Sequence, residues 1–161
     1  MRPLLLCLGL LICSSLLSLH ADEIDASFIL WKETMESSAK KLGETVSMKL
    51  DREKKLLIVA KELQLNPMRK NTQLQIVPFS FLSPEIILEG VARLPEPWIK
   101  LRTQDNQKRV NNQRRVIIEG LEVEEVSKDE SKSFLVIPCH RTDLQQAKAQ
   151  GETFLQLLLK K

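Results

Sequence analysis

Behind the short basic start Met1-Arg2-Pro3, residues Leu4 to Leu19 are apolar apart from serines and two cysteines, and Leu19-His20-Ala21 sets a small residue just before Asp22. A charged start, an apolar stretch and a small-residue cleavage position are the parts of a secretory signal. This leader constrains the fold, because Cys7 and Cys13 depart with it and Cys139 alone remains. One thiol cannot form an internal disulfide, so the remaining 140 of 161 residues are not a disulfide-stapled scaffold. They must fold on an apolar core, and that length suffices for one ordinary domain. The expected organisation is a signal peptide over residues 1–21 and a single domain over 22–161, in a protein that works outside the cytoplasm, in the periplasm or secreted.

Two other fates of the leader follow from the same residues. An uncleaved leader would tether the protein to a membrane through residues 4–19, although the run is short of the ~20 residues of a span. Lipidation at Cys13 would need a small residue just before it, and Ile12 stands there. Asn66, Asn71, Asn106, Asn111 and Asn112 all fail the Asn-x-Ser/Thr glycosylation pattern. Without Arg2, the remaining 23 basic and 21 acidic side chains nearly balance, so composition does not call for a polyanionic partner such as nucleic acid.

The hydrophobic pattern predicts helices at the ends and strands between. Phe28, Trp31, Met35, Ala39, Leu42 and Val46 share a helical period, with Asp22, Glu23 and Asp25 at the start, so a helix is expected from Asp22 to about Met48. Residues 50–65 read as a turn and then a strand, from the apolar run Leu56-Leu57-Ile58-Val59; a continued helix is the alternative. Leu74–Val77 and Phe79–Phe81 read as strand, with Pro78 at an edge or bulge. Ser83-Pro84-Glu85 has the residues of a helix entry, predicting a short helix to about Arg93. Trp98–Arg102, Val116–Val126 and Phe134–Ile137 read as strands, with a polar connection at Thr103–Asn112 and a charged turn at Ser127–Lys132. Thr142 with Gln145 forms a capping box for a last helix, whose inner face is Leu144, Ala147, Gly151, Phe154 and Leu158. The expected fold is α+β: terminal helices on one face of a mostly antiparallel sheet. Both tryptophans, Trp31 and Trp98, are expected in the core.

Three features bear on chemistry. Cys139 and His140 adjoin, and Asp143 follows, which are the residue types of thiol catalysis. Neighbours on a strand diverge, however, and His140 is the only imidazole after cleavage, so a buried thiol beside a surface histidine is the plainer expectation. A single Cys and His cannot fill a zinc shell, no calcium-loop spacing occurs, and no Gly-rich phosphate or dinucleotide motif is present. Lys100, Arg102, Lys108, Arg109, Arg114 and Arg115 face only Asp105 within their segment, among asparagines and glutamines. That composition suits phosphate or carboxylate groups, but it lacks the interleaved aromatics of base stacking. The acids Glu119, Glu122, Glu124, Glu125, Asp129 and Glu130 follow at once and can neutralise these cations across paired strands. In the last helix, Leu155 and Leu159 lie off the inner stripe, a candidate docking face.

No stretch carries a family signature. The sequence leads to an exported, non-enzymatic binding or accessory protein, with envelope assembly as one such role. Its expected partner is another protein or an anionic envelope component, with no cofactor and no metal. The alternatives are a small thiol-dependent or hydrolytic enzyme built on Cys139, His140 and Asp143, and a membrane-tethered protein.

Overall fold

The computed structural model describes the backbone of residues 3–90, 97–123 and 128–160, with side chains from residue 20 onward within those ranges. The chain opens with helix α1 (Pro3–Lys41), whose backbone continues through the expected cleavage position. Strands β1 (Glu44–Asp51), β2 (Leu56–Asn66), β3 (Arg69–Pro78), β4 (Leu82–Glu89), β5 (Trp98–Thr103), β6 (Val110–Ile118), β7 (Leu121–Glu122), β8 (Lys128–Lys132) and β9 (Phe134–Pro138) follow, and helix α2 (Leu144–Leu159) closes it. The fold is α+β. Every strand pairing is antiparallel, but the strands form two sheets rather than one. The larger has the order β1-β2-β3-β6, with β7 and β8 both on the far edge of β6; the smaller has the order β4-β5-β9.

Several expectations from the sequence give way to local physics. Helix α1 stops at Lys41 rather than near Met48, because Gly43 takes a left-handed φ of 75° and the amides of Leu42 and Gly43 close the last turn onto Ala39 and Lys40. From Glu44 the period changes to two: Val46 and Met48 point inward, while Thr45, Ser47 and Lys49 point out. The turn at 52–55 and strand over 56–66 stand as expected. Phe79–Phe81 is a single 3-10 turn instead of strand, and Pro78 ends β3. The helix expected after Ser83 is strand β4, and its expected end at Arg93 lies outside the described residues. Pro84 sits in an edge strand where the register shifts between Leu82 and Ile86, the place where a missing N–H is tolerated.

The expected long strand over 116–126 is broken by a turn at Glu119 and Gly120, both with positive φ, and residues 124–127 lie outside the described residues. The expected polar connection is shorter, since β6 already begins at Val110. The charged segment Lys128–Lys132 is a strand on β6 rather than a turn. At the last helix the capping box does not form: the N-cap is Asp143, with no side-chain cap. Its carboxylate instead takes two hydrogen bonds from Lys41, at 2.7 and 2.8 Å, and one from Thr142 at 3.0 Å.

One apolar core lies under both sheets and both helices. Helix α1 contributes Ile24, Phe28, Trp31, Met35 and Ala39, and α2 contributes Leu144, Ala147, Phe154, Leu155 and Leu157. Trp31 stacks on Phe154 with ring centroids 5.5 Å apart. Helix α2 passes so close that a Cβ on Gly151 would stand 2.4 Å from Ile86 Cδ1 and 2.8 Å from the Trp31 ring. Leu155 is fully buried and Leu159 packs against the same core, so the side of α2 expected as a docking face is occupied by the domain itself. Among the described residues, no helix is long and apolar enough to cross a membrane.

Candidate functional site: a polar cleft between the two sheets

The inner face of the large sheet changes character along its strands. At one end Met48, Leu57, Val59, Val77 and Val110 belong to the core. Two residues further along, the same face presents Lys61, Gln73, Asn112 and Arg114, and then Leu63 and Asn71. There the small sheet no longer covers it. A cleft of about 740 Å³ opens between this polar half and the outward face of β5 and β9, which supplies Trp98, Phe134 and Val136. The size is in the ~300–1,000 Å³ range of small-molecule sites. Correcting the expectation that both tryptophans are core anchors, Trp98 is 39% exposed on the cleft wall, whereas Trp31 is fully buried.

The boundary between core and cleft is built from polar side chains. Gln75, fully buried, donates to the carbonyl of Val136 at 3.0 Å and accepts from its N–H at 3.0 Å. Its carboxamide thus stands where the peptide group of a neighbouring strand would stand on the β9 edge, and satisfies both main-chain groups. Lys61 Nζ donates to the same carbonyl at 3.1 Å and lies 5.6 Å from the centre of the Trp98 ring. Gln73 donates to Asn112, and Asn112 donates to Glu130 at 3.1 Å, which continues the polar row across β3, β6 and β8.

Lys61 is 8% exposed. Burial lowers its pKa to about 8, with nearby Glu44 opposing the shift and Lys132 adding to it. Glu44 is itself pushed up by desolvation, which Lys61 partly offsets. Most other charges of the cleft are paired: Lys132 with Glu130 at 2.8 Å, Lys100 with Glu89 at 2.6 Å, and Lys70 with Glu62 at 2.7 Å. Arg114 is different, for its guanidinium has no ion pair among the described residues. The buried Asn71 Oδ1 likewise has no hydrogen-bond partner among them. Among the described residues the cleft therefore presents an unpaired fork of donors, a desolvated ammonium and an aromatic wall.

The six cations singled out from the sequence do not form one surface. Lys100 and Arg102 lie on the outward face of β5, where the Lys100 ammonium stands 4.1 Å over the Phe134 ring. Lys108 and Arg109 belong to the following loop, and Arg109 packs 4.8 Å over Phe81 with Asp105 at 3.6 Å. Arg114 and Arg115 are neighbours on β6 and so point to opposite faces; Arg114 lines the cleft. Arg115 is held by Glu122 at 3.1 Å and by Asp129, the cross-strand neutralisation that the charge pattern allowed. Asp129 is held below the usual carboxylate range by that hydrogen bond from Arg115.

Cys139, His140 and Asp143 are close in the chain and share partners, Ser38 between Cys139 and His140 and Thr142 between His140 and Asp143. Cys139 is buried, with its sulfur 3.4 Å from the Ser38 hydroxyl, and burial pushes its thiol pKa up, away from the thiolate a nucleophile needs. The Ser38 hydroxyl also accepts from the His140 N–H at 2.7 Å. His140 Nδ1 lies 2.9 Å from the Thr142 hydroxyl, and the hydrogen bond from Lys41 holds Asp143 below its ordinary pKa. Among the described residues no group of three or more His, Cys, Asp or Glu side chains is placed to hold a metal ion.

Lys61, Gln73 and Trp98, the functional candidates that sequence reasoning missed, sit on strands otherwise spent on the core. A signal for the first was present: Leu57, Val59, Lys61 and Leu63 keep one period-two phase, so a lysine falls where the buried set predicts an apolar residue. Comparison with protein-family models, with characterised proteins and with solved structures yields no match.

Proposed function

We propose that this is an exported, non-enzymatic binding protein, and that the cleft between its sheets holds an anionic component of the cell envelope. The observation that carries this reading is the Arg114 guanidinium, unpaired among the described residues and facing the same cleft as the buried Lys61 ammonium. A forked donor and a desolvated ammonium suit a carboxylate or similar anion. At Cys139 burial outweighs the lowering by Ser38 and Lys41, so the thiol pKa is raised, which weighs against the thiol enzyme. Export rests on the leader, and the accessory role rests on the cleft's binding chemistry.

The test is an amide chemical-shift titration of the labelled protein, residues 22–161, with a short polyacrylate, a chain of carboxylates without rings. Shifts are expected at Lys61, Gln73 and Arg114 and are expected to vanish in Arg114→Glu. Shifts confined to Arg102, Lys108 and Arg109 would move binding to the outer basic residues. An absence of shifts at any of these positions ends the reading.

A further inference from the structure

We infer that the ligand of this cleft is an acidic saccharide, a chain of sugar rings bearing carboxylates, an inference that rests on the binding role proposed above. The composition of the walls separates this ligand from other anions. Small-ligand sites are mostly apolar with a few polar groups. Here the floor is a continuous polar row, in which Lys61, Gln73 and Arg114 are cross-strand neighbours and Asn71 and Asn112 flank them. Carboxamides offer both donors and acceptors, which is what a ring carrying several hydroxyls requires. Opposite the floor stands the exposed part of Trp98. The C–H groups of a sugar ring carry partial positive charge from their oxygens and rest favourably on the negative face of an indole. Arg114 and Lys61 then meet the carboxylate.

A peptide fits less well. Extended peptides add to open strand edges through main-chain hydrogen bonds. The β9 edge that borders the cleft at Val136 is already closed by Gln75 and Lys61. A long-chain amphiphile fits less well, because Lys61, Gln73 and Arg114 interrupt the apolar lining of Leu63, Trp98, Phe134 and Val136.

The experiment compares three probes on the protein carrying residues 22–161: tetragalacturonate, a polyacrylate oligomer of equal charge, and tetraglutamate. Tryptophan fluorescence is the readout, since Trp31 is sealed in the core and Trp98 faces the cleft. Tetragalacturonate is expected to bind about tenfold more tightly than polyacrylate and to shift the emission, a gain of the size that aromatic contact supplies. In Trp98→Ala, followed by the Lys61 and Arg114 amide shifts because the cleft-facing indole is gone, tetragalacturonate and polyacrylate should bind alike, while Arg114→Ala weakens both. Equal affinities for all three probes, or a preference for tetraglutamate, would overturn the saccharide and leave the anion-binding cleft standing. Failure of all three to shift the Lys61 and Arg114 amides would overturn both.

Discussion

The two halves of the inner sheet face do opposite work with the same strands. At Leu57, Val59, Val77 and Val110 the face is dry and packed under the helices and the small sheet. Two residues along, at Lys61, Gln73 and Arg114, it is polar and open to the cleft. The backbone is a regular antiparallel ladder throughout this stretch, so pairing does not distinguish the halves. What distinguishes them is cover. Where the small sheet and the helices cover the face, only apolar side chains are tolerated. Where cover ends, polar groups survive on partners of their own: Lys61 and Gln75 bond Val136, Gln73 bonds Asn112, and Asn112 bonds Glu130. Gln75 sits at the changeover and joins the two sheets through Val136.

The comparison can be broken most severely at the dry end. Leu57→Ala should lower stability by about 2–5 kcal/mol, as for a large-to-small change in a filled core. Urea unfolding reads this, and a loss below about 1 kcal/mol would mean that the dry half is not packed. Lys61 gives the next effect, through pH. The folded protein releases this proton near pH 8, against 10.5 for an ordinary lysine, so between those values the unfolded chain holds more protons. Stability therefore rises with pH across that window, by roughly 3 kcal/mol for this group. Binding of a carboxylate should fall over the same window as the ammonium is lost. Lys61→Met should abolish the rise, and an unchanged pH profile would remove Lys61 as its source.

At the boundary, Gln75→Leu leaves the Val136 N–H and carbonyl without that side chain, which should cost roughly 2–3 kcal/mol. Amide exchange at Val136 should quicken, and unchanged exchange would show that the edge is closed by other groups. At the open end, Arg114→Ala should leave the unfolding midpoint where it was and weaken binding of both polyacrylate and tetragalacturonate. A large fall in stability there would place Arg114 in the scaffold instead of the site.

Much of the architecture was legible because it depends on local pattern. The terminal helices, the strand at Leu56–Asn66 and the apolar strand Phe134–Pro138 follow from periodicity and from runs of apolar residues. Errors arose where a local signal had a tertiary competitor. Ser83-Pro84-Glu85 has helix-entry chemistry, yet Ile86, Ile87 and Leu88 find cross-strand partners on β5, and that pairing prevails. Asp143 has the chemistry of a helix start, but Lys41, distant in the chain, takes its carboxylate. The boundary at Gly43 was readable in advance, since a glycine followed by alternation of Val46 and Met48 is a stop and a strand. The candidate site was the least legible. The basic cluster from Lys100 to Arg115 is contiguous in sequence, but the central strand of the small sheet, a loop and both faces of β6 divide it in space.

The amino-acid sequence by itself determined the α+β class and the phase of most strands, and it led to an export leader and a single remaining thiol as expectations, because these rest on composition and on periods of two and 3.6. Only the tertiary structure decided that the strands divide into two sheets and that Cys139 rests against Ser38. It alone set Lys61, Arg114, Asn71 and Trp98 around one cleft. The physical reason is cover: an inward-pointing side chain is core or site according to what packs over it, and that partner comes from elsewhere in the chain.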